Sequence, residues 1–329
     1  MKTAILGAGA MGTLMALVLS GRPGRKVALW GHRTANVDAI DRDRENRRLL
    51  PGVPLPDSLL VTDDVRIAVN GADCLVAAIP SAFLRSTLTA LAPHIPPDVP
   101  VVSVIKGIEA SSFHRPSQII VETLGARSIA VLSGPCHAEE AARRLPANLV
   151  AASSDWAFAD RVRDEFTTDT FRVYTNTDVI GVELAGALKN VLAIAAGICD
   201  GLGCGDNAKS ALITRGLVEM TRFVVTHGGE AATLTGLAGI GDLITTCISP
   251  HGRNRHVGER LGKGETLAAI TESMSAIAEG ITTCAGVHAI ARAKHIEMPI
   301  ADEVYHVLFN GKPAKDAARD LMHRPTGHE

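Results

Sequence analysis

The sequence predicts an α/β protein in two parts, with a doubly wound domain over residues 1–176 and an all-α domain over residues 177–329. In the first half, short apolar runs alternate with helical patterns, as expected for parallel strands covered on both faces of a sheet. A glycine-rich turn follows the first of these runs. After about Asn176 the runs have helical spacing and little β-branched alternation, which favours a helical domain.

Eight apolar runs are predicted as strands. They are Thr3–Leu6, Val27–Trp30, Leu59–Thr62, Cys74–Ile79, Val101–Ile105, Ile129–Leu132, Leu149–Ala152 and Phe171–Tyr174. Met11–Leu19 and Phe83–Leu91 have helical patterns between strands. In the second half, Asp178 and Asp206–Asn207 are predicted to cap helices, and Gly228–Gly229 to end one.

The composition excludes several classes of protein. The 329 residues are 46% hydrophobic and carry a formal net charge of −2, which argues against nucleic-acid binding and against a polybasic membrane-surface protein. The six cysteines form no CxxC pair, so neither a metal site nor a disulfide framework is predicted. No signal peptide or membrane insertion is expected, and the predicted location is the cytoplasm.

The turn "GAGAMG" contains Gly7, Gly9 and Gly12 between a predicted strand and a predicted helix. In this context a G-x-G-x-x-G pattern indicates a Rossmann-type dinucleotide site. Gly7 permits the tight turn, Gly9 lets the backbone approach a pyrophosphate, and Gly12 lets helix and strand pack closely. The alternative is a tight strand-to-helix turn that binds nothing.

The residues after the second strand indicate which dinucleotide binds. An acidic residue at this point would hold the ribose 2′-hydroxyl of NAD, but the chain has Gly31, His32 and Arg33. A 2′-phosphate would suit Arg33 and His32, so NADPH is the preferred cofactor, with NADH possible. Alternatively, Arg33 is a solvated surface charge.

Lys189 stands in the otherwise uncharged part of "ELAGALKNVLAIAAGI". Such a lysine either extends to water or is kept for chemistry. Burial and a second cation can lower a lysine pKa and make it a general acid for carbonyl reduction. Lys106 is a candidate second cation, because it follows a predicted strand and would lie at the carboxyl edge of the sheet.

Several long segments, in this order, resemble the bacterial-type NAD(P)-dependent sn-glycerol-3-phosphate dehydrogenases. They are "GAGAMG", "ELAGALKNV", "GDNAKSALITRG", "GLAGIGDLITTC", "GRNRHVG", "EGITT" and "MPIADEVYHVL", and they extend over nearly the whole chain. The resemblance implies interconversion of dihydroxyacetone phosphate and sn-glycerol 3-phosphate, feeding glycerophospholipid synthesis. The implied partner is a small phosphorylated substrate, and a homodimer is left open.

The resemblance also implies roles for individual residues. Lys189 would be the catalytic proton donor and acceptor, and Lys106 would contact both substrate and cofactor. The residues implied around the substrate are Lys106, Gly134, Cys136, Lys189, Asp242, Gly252, Arg253 and Asn254. Besides Gly7 and Gly9 of the turn, the implied cofactor contacts are Met11, Gly12, His32, Arg33, Lys106, Ala138, Arg253, Ile277 and Glu279.

The segment "SPHGRNR" supports a phosphate site independently. It is rich in turn formers and leads into a helix predicted to begin near His256, so Arg253, Asn254 and backbone N–H groups can converge on an anion. Alternatively, Arg253 and Arg255 belong to a solvated loop, and Asp242 is only a helix N-cap.

The chain departs from the family pattern at two places. Gly252 stands where the family commonly has a hydroxyl residue, and Cys136 and His137 follow "SGP" where Ser or Thr and then Phe are usual. Two other functions stay open: a related NADPH-dependent reductase of a β-hydroxyacid or ketopantoate, and a module that senses NADPH without turnover.

Overall fold

The computed structural model describes residues 1–274 and 278–325. The strands are β1 (Lys2–Leu6), β2 (Lys26–Trp30), β3 (Leu60–Thr62), β4 (Cys74–Ala77), β5 (Val101–Ser103), β6 (Ile129–Ser133), β7 (Ala147–Ala152) and β8 (Phe171–Asn176). The helices of the first half are α1 (Ala10–Ser20), α2 (Thr34–Asp43), α3 (Val65–Val69), α4 (Ser81–Leu91), α5 (Pro116–Leu124), α6 (Ala138–Ala141) and α7 (Trp156–Phe166). Those of the second half are α8 (Val179–Gly201), α9 (Gly205–Thr226), α10 (Ala231–Leu234), α11 (Asp242–Ile248), α12 (Arg253–Gly262), α13 (Leu267–Ser273), α14 (Glu279–Ala293), α15 (Pro299–Phe309) and α16 (Ala314–Met322).

The chain divides into two compact units. The first contains residues 1–106 and 114–183, and the second contains residues 107–113 and 184–329. The boundary predicted after residue 176 falls a few residues before the division within α8. The α/β class of the first unit and the helical class of the second are as predicted.

The first unit is built on one sheet with the strand order β3-β2-β1-β4-β5-β6-β7-β8. The order 3-2-1-4-5-6 of its first six strands is that of dinucleotide-binding folds, whose direction of winding reverses between β1 and β4. All eight predicted strands are present. The sheet is mixed, because β7 pairs antiparallel with β6 and parallel with β8.

Both faces of this sheet are apolar, as a sheet covered by helices on both sides requires. In β1 the side chain of Ile5 packs into the core that includes Leu14 and Met15 of α1. Its neighbours Ala4 and Leu6 pack into the core on the other face. Successive strand residues point to opposite faces, so this continuously apolar strand contributes to both cores.

Most of α8, the longest helix among the described residues, belongs to the second unit. By length and composition alone α8 could cross a membrane, but 89% of its most apolar window is buried inside the protein. A buried core helix passes the same test. Asp178 caps this helix as predicted, since its carboxylate accepts from the N–H of Gly181 at 2.7 Å.

Helices α8 and α12 touch backbone to backbone. A Cβ placed on Gly258 of α12 would overlap the carbonyl oxygen of Ile194, and a Cβ on Gly197 of α8 would overlap that of Arg255. Gly201 and Gly262 repeat the contact one helical turn further on. Only glycine permits such close approach, so these residues fix how the start of α12 lies against α8.

Two predicted helix starts are wrong. The cap predicted at Asp206–Asn207 lies inside α9, which already begins at Gly205 after Cys204. The helix predicted near His256 begins at Arg253, with Gly252 as its N-cap. In both cases the residue before the helix has no capping side chain. A prediction based on capping residues therefore misses the first residue of the helix. Gly228 follows the end of α9 as predicted and has a positive φ of 85°.

A buried carboxylate on α9 holds the start of α15. The Glu219 oxygens accept from the N–H groups of Ile300 and Ala301 at 2.7 and 3.2 Å. Glu219 is only 2% exposed, and burial raises its pKa from 4.5 to about 7, against the opposing effect of these two hydrogen bonds. The folded state therefore binds a proton that the unfolded chain releases near its ordinary pKa.

We expect the stability contribution of Glu219 to fall as the pH rises from about 4.5 to about 7, because ionisation costs more in the folded state. Relative to Glu219→Gln, the free energy of unfolding of the wild type should fall by up to about 3 kcal/mol between about pH 5 and about pH 8. Chemical denaturation at both pH values measures this difference. Glu272→Gln replaces an exposed carboxylate and is the control for changing a glutamate to an amide. Parallel pH profiles for the wild type and Glu219→Gln would contradict the prediction.

Candidate active site

The glycine-rich turn joins β1 to α1 at the carboxyl edge of the sheet. Gly7 has a φ of +123°, and a Cβ on it would lie 2.5 Å from the carbonyl oxygen of Ala78. A Cβ on Gly12 would overlap the carbonyl oxygen of Gly7. Both positions therefore require glycine, as predicted from the motif.

Gly9 differs from its neighbours, because a Cβ there would meet no atom within 4 Å. As the N-cap of α1 it also supplies no side-chain acceptor to the first turn of the helix. The turn thus presents open space in front of uncapped N–H groups, and this arrangement fits a dinucleotide pyrophosphate. Met11 and Gly12 lie in the first turn of the same helix.

His32 and Arg33 lie just beyond β2, as predicted, and both side chains are exposed. Arg33 is the N-cap residue of α2 and makes no side-chain cap. Among residues 1–274 and 278–325, no carboxylate forms an ion pair with its guanidinium. The two side chains can therefore meet a 2′-phosphate, as the sequence indicates.

Lys106 and Gly134 meet at the same edge of the sheet. They follow β5 and β6, which run parallel to β1, and the Lys106 ammonium donates to the carbonyl oxygen of Gly134 at 2.9 Å. Cys136 is partly exposed two residues further on, and Ala138 begins α6. The first unit therefore gathers these four predicted residues on the side of the glycine-rich turn, where α/β sheets bind ligands.

In the second unit, Lys189 lies at the centre of a buried polar cluster. Its ammonium donates to Asp242 Oδ1 at 2.6 Å and to Thr246 Oγ1 at 2.5 Å. The side chains of Lys189 and Asp242 are only 8% and 2% exposed. Lys189 therefore does not extend to water. Asp242 is not a helix N-cap, since Gly241 holds that position in α11.

The hydroxyl of Thr246 donates to the backbone carbonyl of Asp242 at 2.7 Å. Since its proton is used in this way, its oxygen can only accept from Lys189. The cluster therefore directs the N–H groups of Lys189 at Asp242 and Thr246 and fixes the position of Nζ.

Asn254 ties three helices together. Its amide nitrogen donates to Asn190 Oδ1 at 3.0 Å, and its amide oxygen accepts from the N–H of Gly280 at 3.0 Å. Asn190 directly follows Lys189 on α8, and Gly280 follows Glu279, the first residue of α14. The amide of Asn254 thus fixes the start of α12 beside the lysine cluster.

The start of α12 has no side-chain cap and carries a basic residue. Gly252 precedes it and provides no side-chain cap, while Arg253 at the first helical position is exposed. The helix N-terminus then offers N–H groups together with a guanidinium. The Nε of Arg255 donates to Asp200 Oδ2 at 2.7 Å. Arg255 is therefore held by an ion pair and is not a solvated loop residue.

Comparison with known proteins matches both parts of the chain. Family models described as the N-terminus and the C-terminus of NAD-dependent glycerol-3-phosphate dehydrogenase match residues 2–159 and 178–319. The chain belongs to the NAD-dependent glycerol-3-phosphate dehydrogenase family.

Individual relatives agree with membership of this family. The chain is 48% identical to a glycerol-3-phosphate dehydrogenase [NAD(P)+] of Chlorobium phaeobacteroides over 98% of both proteins. It is 38% identical to the glycerol-3-phosphate dehydrogenase structure from Coxiella burnetii, with a TM-score of 0.94 over 98% of this chain and 99% of that one. The predicted enzyme family is thereby confirmed, and the chain is an NAD(P)-dependent oxidoreductase.

One of the alternative families shares only the fold. A ketopantoate reductase structure from Ralstonia eutropha superposes with a TM-score of 0.61 over 98% of this chain, but at 17% identity. A likeness at this level shows common architecture and carries no substrate specificity.

The sequence analysis did not predict a role for Thr246, which belongs to the buried polar cluster around Lys189, or for Asn190, which bonds to Asn254. Thr246 lies four residues after Asp242 on the same helix, a spacing that places two side chains on one face and could have revealed it. Asn190 lies next to Lys189 in the sequence, but no local pattern marks it. Ile277, predicted to contact the cofactor, lies outside the described residues.

Proposed function

We propose that this dehydrogenase interconverts dihydroxyacetone phosphate and sn-glycerol 3-phosphate, with Lys189 as the general acid and base. The observation that carries the proposal is the buried contact of Lys189 with Asp242 and Thr246. It pairs the Lys189 amine with a carboxylate and holds it at a fixed position within one unit, on the helix that also carries Asn190. A general acid must be held in this way to protonate a developing alkoxide.

Each residue has a separate role in the proposed reaction. When bound, the nicotinamide cofactor supplies the hydride. Lys189 donates its Nζ proton to the oxygen of the reduced carbonyl and takes it back in the reverse direction. Asp242 balances the charge of the ammonium and orients it. Arg253 and the first-turn N–H groups of α12 are proposed to hold the substrate phosphate.

The remaining predicted contacts belong to the same proposal. Lys106, Gly134 and Cys136 are assigned to the substrate side of the first unit, and the glycine-rich turn, Met11, His32, Arg33 and Ala138 to the cofactor. Glu279 and Arg253 are assigned to the cofactor from the second unit. Delivery of glycerol phosphate to lipid synthesis in the cytoplasm completes the proposal.

The decisive test follows NADPH absorbance with dihydroxyacetone phosphate and, separately, with unphosphorylated dihydroxyacetone. We expect efficient turnover of the phosphate ester alone, because Arg253 and the α12 N-terminus bind only an anion strongly. Equal turnover of both ketones, or faster turnover of ketopantoate, would reject the substrate assignment. No turnover of any ketone by folded, NADPH-binding protein would favour the sensing module.

We also propose that the enzyme prefers NADPH to NADH through Arg33. Arg33→Ala should weaken NADPH binding by about 10- to 100-fold and leave NADH binding nearly unchanged, because only NADPH carries the 2′-phosphate. Fluorescence titration with both cofactors measures the two losses. Arg42→Ala on the same helix is the matched control, since Arg42 is already paired with Asp43. Equal losses for the two cofactors in Arg33→Ala would contradict the assignment.

Gly252 tests the phosphate position. Its φ is −70°, so a larger residue meets no backbone strain, although a Cβ would lie 3.1 Å from the carbonyl oxygen of Thr246. Gly252→Ala adds this crowding alone, whereas Gly252→Ser also adds a hydroxyl donor. We expect KM for dihydroxyacetone phosphate to be several-fold lower in the Ser variant than in the Ala variant, at similar kcat, because the contact is made in ground and transition states alike. Steady-state kinetics that give equal KM values would place Gly252 away from the phosphate.

A further inference from the structure

Helix α8 ends in a Schellman motif. The N–H of Cys204 donates to the carbonyl oxygen of Cys199 at 3.1 Å, and the N–H of Gly203 donates to that of Asp200 at 3.0 Å. Gly203 has a φ of +69°, as the left-handed residue of this motif does. All of these residues belong to the second unit.

This motif usually brings two apolar side chains together, one from the last turn of the helix and one just beyond its end. Here both positions are occupied by cysteines, so the same backbone geometry places the two thiols side by side. The backbone bond between the residues also holds them close, and a disulfide needs Cα atoms only about 4.4–6.8 Å apart. Cys199 is 8% exposed, whereas Cys204 is open to solvent.

We propose that Cys199 and Cys204 are a redox modification site that forms a reversible disulfide when the protein meets a peroxide. The proposal does not depend on the proposed substrate. It assigns Cys204 as the thiol that reacts first and Cys199 as the thiol that resolves the product.

The reaction balances in two steps. The Cys204 thiolate attacks one peroxide oxygen, the O–O bond breaks, and sulfenic acid forms while water leaves after protonation. The Cys199 sulfur then attacks the Cys204 sulfur, the S–O bond breaks, and a second water leaves. Two thiols are oxidised by two electrons in total, and one peroxide is reduced to two waters.

The surroundings of the two thiols suit these roles. Burial and, to a smaller extent, the neighbouring Cys204 thiol together raise the pKa of Cys199 to about 11, so Cys199 does not react first. Once Cys204 is a neutral sulfenic acid, the contribution of its charge is gone and the Cys199 thiolate forms more readily. Lys209 also favours the Cys199 thiolate.

The pair changes the fate of an exposed thiol. A solvent-accessible cysteine with no partner proceeds from sulfenic to sulfinic acid, which thiol reductants do not reverse. A second thiol in contact diverts the sulfenic acid to a disulfide that they do reverse. We therefore expect Cys199 to protect Cys204 from irreversible oxidation.

Peptide mapping tests this directly, because trypsin cleavage after Lys189 and Lys209 leaves both cysteines in the single peptide 190–209. The full-length protein is treated with hydrogen peroxide, denatured in the presence of an alkylating reagent and digested, and the peptide masses are measured by mass spectrometry. We expect peptide 190–209 to lose both alkylation sites and to be about 2 Da lighter than the reduced peptide, and dithiothreitol should reverse the change. An alkylated Cys199 beside a sulfinic Cys204 in the wild type would overturn the proposal.

Two variants assign the roles. In Cys199→Ala the same treatment should give a sulfinic acid at Cys204, which dithiothreitol does not remove. In Cys204→Ser, Cys199 should stay alkylatable, because it is buried. Cys136, which is partly exposed elsewhere in the chain, reports in the same digest whether the dose of peroxide was sufficient. A reducible disulfide that joins peptide 190–209 to another cysteine-containing peptide in Cys199→Ala would show that another thiol resolves Cys204 and would reject the pair.

Discussion

Replacing Lys189 by methionine is expected to lower kcat by at least about 100-fold, the usual scale for loss of a general acid. Methionine fills a similar volume in the buried cluster but has no proton to give. Cofactor binding should persist, because the glycine-rich turn lies in the other unit. Steady-state kinetics give kcat, and NADPH titration gives cofactor affinity.

Lys209→Met is the matched control for this variant. Lys209 is also largely buried and also pairs with an aspartate, Asp200, at 2.7 Å, so its loss removes the same charge and a comparable ion pair. Its kcat should stay within a few-fold of the wild type. If Lys189→Met were folded and retained near wild-type kcat, or if both variants lost activity equally, Lys189 would not be the proton donor.

Gly258→Ala is expected to destabilise the protein by about 3 kcal/mol or more, since one methyl group would overlap the backbone of α8 at Ile194. The helices would have to separate or shift, and the hydrogen bond between Asn254 and Asn190 would be lost with the movement. We therefore expect a lowered midpoint of chemical denaturation together with a raised KM for the phosphorylated substrate.

Gly216→Ala separates steric overlap with backbone from the general effect of adding a methyl group. Its Cβ would meet the side-chain methyl groups of Leu192, the nearest at 2.7 Å, and these can rotate away. The higher helix propensity of alanine offsets part of that cost by about 1 kcal/mol. Similar destabilisation in Gly216→Ala and Gly258→Ala would show that the close helix crossing is not the sensitive feature.

Much of the fold could be predicted from the sequence, because its signals are local. Continuously apolar runs such as that of β1 indicate a sheet covered on both faces, and the turn at Gly7 fixes the start of the strand order. The reversal of β7 had no such signal, since strand direction is set by how the chain crosses the sheet. The start of α12 was missed because Gly252 lacks a capping side chain.

Residues of the candidate site were predicted where a residue is anomalous in its own segment. Lys189 was evident because it interrupts an apolar helix, and Arg253 because it follows turn-forming residues. Thr246 is an ordinary hydroxyl residue in "LITTC", and only its contact with Lys189 gives it a role. Asn190 and Asn254 lie 64 positions apart in the sequence, so their hydrogen bond could be recognised only from the packing of the helices.

The glycine crossing of α8 and α12 has a genetic consequence. A clash between two side chains can be relieved by a second mutation that shortens the partner. At Gly258 the opposing atom is the carbonyl oxygen of Ile194, and every amino acid carries that oxygen. No substitution at position 194 can make room, so a selection for intragenic suppressors of Gly258→Ala should return revertants to glycine, or changes that stabilise the fold elsewhere.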